Sequence, residues 1–188
     1  MKASNGHAYI LVAIDYFTKW VETASYSVLK AKYVARFIEN NIICLYRVPE
    51  EIISDNSSHF EGEVQMIMEL YNIEHHKSSP YRPYTNAAVE AANKNIKNIL
   101  AKMVVTYKDC AKKLPFPLWG YRTSIRASTG ATPYSLVYGC EVVLPIEVEI
   151  QSLRVLVETK VLKEDWMKER YEQLTLIDEK KAMAQYHA

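Results

Sequence analysis

Glu90, Lys94 and Lys97 are spaced by four and then three residues, and an α-helix sets such positions close to one line along its surface. On a plain solvated face acidic and basic residues usually alternate. Here one carboxylate is followed by two ammonium groups, an order suited to a surface that meets a phosphodiester chain near a metal. A second carboxylate, Asp55, follows Glu51 to Ser54, a brief stretch that reads as a strand delivering it at its carboxyl end. On residue types alone each position also has a structural use. Asp55 in Ser54-Asp55-Asn56 suits an Asx-turn, Glu90 suits the positive end of a helix dipole, and the lysines suit a solvated face. His75 and His76 are neighbours on a predicted strand, so their rings point to opposite faces; they are read as structural.

Several elements must position these groups. After the proline-punctuated loop Pro80 to Asn86, Val89, Ala92, Ile96, Ile99, Leu100 and Met103 recur at helical steps and give the helix bearing Glu90 its core face. Ala8 to Tyr16 reads as a buried strand, Thr18 and Lys19 as a turn, and Trp20 to Ala24 as the returning strand of a hairpin. A helix is predicted over Ala31 to Tyr46 (Val34, Phe37, Ile38, Ile42, with Leu45 close to that face), ending before Pro49. Gly62 to Tyr71 reads as a short helix and Ile73 to Lys77 as a strand. Pro115 and Pro117 precede a helix through Leu118 to Arg126. Thr132-Pro133 supplies an N-cap with proline at the first helical position of Tyr134 to Tyr138. This order is that of an α/β protein.

With 188 residues, 49% of them apolar, the chain can bury one substantial core plus an appendage. The formal net charge of +1 would not suggest nucleic acid by itself, yet His75 to Lys113 holds eight Lys/Arg against two acids. Cys44, Cys110 and Cys140 are odd in number and widely spaced, which argues against a disulfide framework or structural zinc and for a reducing compartment. Ala8 to Ile14 is too short to span a bilayer, and no signal peptide is evident, so an intracellular protein without a membrane partner is expected. Trp119, Tyr121 and Arg122 could stack on bases, but helical packing explains them. The tail from Glu158 to Ala188 holds six basic and seven acidic residues with scattered apolar ones, lacks sustained heptads, and reads as a linker helix that packs weakly or awaits a partner.

YRPYTNAAVEAANKNIK and EIISDNSSHF resemble the glutamate-bearing and second-aspartate segments of retroviral and gypsy-class LTR-retrotransposon integrases. YILVAIDYFTKWVETAS and LWGYRTSIRASTGATPYSLVYG resemble further segments of that family in the same order, so the likeness covers most of the first 145 residues. The resemblance implies a ribonuclease-H-like mixed sheet flanked by helices, lacking the first strand, with a carboxyl-terminal helical tail. Residues 1–145 would be the catalytic core and 146–188 an extended arm and charged linker helix.

By the same resemblance, Asp55 and Glu90 are catalytic carboxylates and ligands of Mg²⁺ or Mn²⁺, and Lys94, Lys97, Asn93 and Tyr84 contact DNA. The family's first aspartate has no counterpart; Asp15 lies in VAIDYFTKW, which matches the second strand, where no ligand is carried. The expectation is an amino-terminally truncated core with impaired catalysis and weakly held metal. Ser57, Tyr84 and Ala87 stand where the family commonly has Gly, Gln and Gly. Implied partners are DNA, both element ends and target, and a second copy of the chain, in the nucleus. The rival expectations are a non-enzymatic DNA-binding or interaction module, or a non-functional transposon remnant.

Overall fold

The computed structural model describes residues 6–77, 94, 114–142 and 163–187. By its internal contacts the chain divides into two units, residues 1–16 with 21–118, and residues 17–20 with 119–188. In the first unit, strands β1 (Tyr9–Ile14) and β2 (Val21–Tyr26) form the expected antiparallel hairpin, in register from Tyr9↔Tyr26 to Ile14↔Val21. Their β-branched content suits a pleated, half-buried surface. Strands β3 (Glu51–Ser54) and β4 (Glu74–Lys77) pair in parallel, Ile52 opposite His75 and Ser54 opposite Lys77. Among the described residues the four strands therefore make two pairs, β1-β2 and β3-β4.

Helices α1 (Ala31–Phe37) and α2 (Glu63–Leu70) cover them. Val34, Ala35 and Ile38 meet Val64, Met68 and Ile73 in one buried cluster, and Leu11 of β1 and Ile52 of β3 pack against it. Both strand pairs thus share a core.

The helix expected over Ala31 to Tyr46 departs from plan at Ile38. From Ile38 to Ile43 the backbone is a π-helix, continued by a bond from Cys44 N to Glu39 O at 2.9 Å. Five-residue bonding brings Ile43 into line with Ile38, so Ile43 packs on the core and Leu45 is left 60% exposed. Helix α3 (Pro115–Thr123) also differs from expectation: it begins at the prolines instead of after them and stops before Arg126. First-turn residues have no intrahelical acceptor for their N–H groups, so Pro115 and Pro117 forfeit little.

In the second unit, α4 (Pro133–Tyr138) has the expected start. Thr132 Oγ1 accepts from Ser135 N at 3.0 Å and donates to Ser135 Oγ at 3.0 Å, with proline in the first turn. Thr132→Ala should therefore lower the unfolding free energy by about 1 kcal/mol, while Thr132→Ser keeps the cap; urea midpoints measure the difference. The helix ends on Gly139 in the left-handed region, φ 74°, where a Cβ would lie 3.3 Å from Ile177 Cδ1.

Helices α5 (Lys163–Thr175) and α6 (Ile177–His187) close this end. Arg170 Nη2 donates to Tyr138 O at 2.9 Å and Lys180 Nζ to Gly139 O at 3.1 Å, placing cations where a helix carboxyl end is negative. Ala184 is buried, whereas Trp166, Tyr171 and Tyr186 are exposed. Trp20 is buried between Tyr138, at 5.5 Å centroid separation, and Arg122, whose guanidinium lies 4.3 Å from the ring centre. These contacts give Trp119, Tyr121 and Arg122 the packing role expected of them, since Trp119 meets Tyr134 edge-on and Tyr121 is buried. Among the described residues no helix is long and apolar enough to cross a membrane.

Candidate metal and nucleic-acid site

The parallel pairing of β3 with β4 ends at Ser54, so Asp55 is the first residue beyond the ladder and stands exposed at the carboxyl end of β3. Its Oδ1 accepts from Ser57 N at 3.3 Å, closing the Asx-turn that its residue type allows. The turn and a metal role are compatible, because a carboxylate has about four lone-pair positions and this bond takes one. Ser57 has φ −85° and ψ 149°, ordinary extended backbone, so serine costs nothing where glycine is common in the family. The left-handed position of this loop is Gly62, φ 62°.

Behind Asp55 lies a polar contact that the residue pattern did not reveal. Ser54 is only 7% exposed, and its Oγ donates to Asp55 O at 2.9 Å and lies 2.8 Å from His75 Nε2. A hydroxyl has one proton to give, so with that proton on the Asp55 carbonyl, His75 must carry its hydrogen on Nε2 and donate. Ser54 and His75 share a sheet face because His75 is two residues from Lys77, the partner of Ser54 in the parallel register. Only the register, which no single-strand pattern contains, could have exposed the pair. The ring of Phe60 lies 6.0 Å from that of His75.

His76 points the other way, with Nε2 3.5 Å from both Glu51 Oε2 and Glu74 Oε2. Burial lowers the pKa of His75 below its usual value, helped by the charges of Lys77 and His76. As pH falls, the unfolded chain then takes up this proton first, near pH ~6.5. The contribution of His75 to stability should be whole above that pH and decline as pH falls toward the lower native value. In an NMR titration His75 should protonate at lower pH than a free imidazole side chain, and a midpoint at or above the ordinary value would contradict this assignment.

Lys94 is helical and exposed, as a phosphate-facing residue must be. Glu90, Asn93, Lys97 and Tyr84 lie outside the described residues, as does any meeting of Glu90 with Asp55. Asp15 follows the end of β1 and is exposed, and the turn beside it is held by Thr18 Oγ1 accepting from Trp20 N at 3.2 Å. Among the described residues no three His, Cys, Asp or Glu side chains converge as a metal site. The donor at Asp55 nonetheless suits a hard cation: an exposed carboxylate on a strand end, held by one backbone bond.

The chain is 33% identical over 137 residues to the Gag-Pol polyprotein of feline leukemia virus; the match covers 71% of this chain and 8% of that polyprotein. The chain thus spans a small fraction of the length of such relatives. Its fold matches the catalytic core domain of BIV integrase, with TM-score 0.59, 25% identity, and coverage of 68% of this chain and 84% of that one. It also matches a chain of the simian T-cell lymphotropic virus intasome solved in complex with PP2A regulatory subunit B56 gamma. There the TM-score is 0.62 and the identity 21%, over 72% of this chain and 50% of that one. No family model matches the chain. In sequence and in fold together the chain is similar to retroviral-type integrase catalytic cores. Its architecture is the mixed α/β, ribonuclease-H-like one that the resemblance implied.

Proposed function

We propose that this integrase core binds DNA through Lys94 and Lys97 and holds a divalent cation at Asp55 with Glu90, as a member of the gypsy-class branch. The supporting observation is the exposed Asp55 carboxylate at the carboxyl end of β3, in a chain whose sequence and fold are those of integrase cores. A bound Mg²⁺ or Mn²⁺ would neutralise charge on the attacking and leaving oxygens of a phosphodiester. Asp55 supplies a hard oxygen donor, Glu90 a second one, and the lysines fix the DNA backbone by neutralising phosphates. Asn93 and Tyr84 add hydrogen-bonding contacts to that DNA. Asp55 and Glu90 supply two of the cation's oxygen ligands and water the others, so the ion is held weakly. The partners are element-end and target DNA and further copies of the chain, in the nucleus.

The proposal is tested by titrating Mn²⁺ into the 188-residue protein with and without Asp55→Asn. Weak binding lost in the variant is the expected result. Binding that is identical in the two proteins, or two tight sites, would count against it.

A further inference from the structure

We infer that Ser54 and His75 are positioning residues for Asp55, clamping its carbonyl so that its carboxylate faces one direction. This deepens the reading of Asp55 as a metal ligand and rests on it. Asp55 lies just past the last ladder pair, Ser54↔Lys77, where a strand end would ordinarily be free to rotate. Two bonds oppose that freedom. On the side-chain side, Ser57 N holds Oδ1 at 3.3 Å. On the main-chain side, Ser54 Oγ holds the Asp55 carbonyl at 2.9 Å, and His75 Nε2 at 2.8 Å saturates the same hydroxyl from the neighbouring strand.

The three distances carry the inference, and the clamp requires one direction of bonding. Were Nε2 an acceptor, the single Ser54 proton would be drawn to it and the Asp55 carbonyl released. Only a histidine donating from Nε2 keeps the hydroxyl proton on Asp55. The ring is in turn braced at 6.0 Å by Phe60, on the loop that leaves Asp55. The clamp therefore ties β3, β4 and the following loop together at one point. A pair serving merely to satisfy buried polar groups would support stability alone; a positioning pair must also set how well the carboxylate meets a cation.

The experiment measures Mn²⁺ affinity by electron paramagnetic resonance and, without metal, amide hydrogen exchange at Ser57. It compares the 188-residue protein with Ser54→Ala, Ser54→Thr, His75→Phe, His75→Gln and Asp55→Asn. Ser54→Ala and His75→Phe should each weaken Mn²⁺ binding about tenfold, as loss of an outer-shell partner does, and quicken exchange at Ser57. Ser54→Thr keeps the hydroxyl and His75→Gln keeps an N–H donor, so both should stay near the parent in both readouts. If either disruptive variant does not fold, the other decides. Lowered stability with unchanged Mn²⁺ affinity and unchanged exchange would reduce the pair to a structural role. In that outcome Asp55→Asn would still abolish binding, leaving the metal reading intact. Unchanged Mn²⁺ binding in Asp55→Asn itself would instead remove the metal reading, and the inference with it.

Discussion

Asp55→Asn is expected to weaken Mn²⁺ binding by more than about a hundredfold, because even outer-shell partners are worth 10- to 100-fold and this residue supplies a ligand oxygen. The substitution is discriminating because asparagine closes an Asx-turn as well as aspartate does. The bond from Ser57 N can pass to the amide oxygen, so the loop and the thermal midpoint should change little. What is lost is a negative charge and a strong oxygen donor, which Mn²⁺ and Mg²⁺ require and a turn does not. A turn-only role for Asp55 predicts no change in metal affinity, so isothermal titration of the two proteins separates the roles.

Replacing Lys94 and Lys97 together by alanine should make the salt dependence of DNA binding shallower by about 1.8 units of slope, two phosphate contacts at roughly 0.9 each. Lys94 is exposed on a helix, so its truncation opens no cavity in the core. Binding should weaken alike on unrelated duplexes, since phosphate contacts fix position without reading bases. Plots of log K against log salt for parent and double variant provide the measurement. An unchanged slope would mean that the basic excess between His75 and Lys113 serves solubility instead of DNA.

How far the fold could be read from the residues depended on how local each signal was. Thr132 and Pro133 mark a helix start by their own chemistry, and the helix begins there. The hairpin and the strand before Asp55 follow from short apolar runs with turn residues beside them, and both stand as expected. The π-turn at Ile38 to Ile43 was not readable, because apolar residues there fit several spacings and only packing selects among them. Pro115 and Pro117 read as preceding a helix, yet they open it, since proline breaks a helix only beyond its first turn.

The candidate site divides the same way. Asp55 was visible as a carboxylate closing a strand. His75 reads as structural because adjacent residues on a strand diverge, which is correct for His75 against His76 and silent about His75 against Ser54 on the next strand. The same blindness to distant partners hid the two cations that reach α4. Arg170 and Lys180 sit in a stretch of mixed charge whose formula is that of any solvated helix, and their targets are main-chain carbonyls more than thirty positions upstream.

Those two side chains bear on where this polypeptide can be cut. A fragment stopped at residue 145 would look, by resemblance, like a tidier core. It would forfeit the counter-charges at the negative pole of α4 and uncover Gly139, whose missing side chain makes room for Ile177. What looks like a disposable trailer is what holds the carboxyl end of α4, and shortening the molecule would leave that end to water.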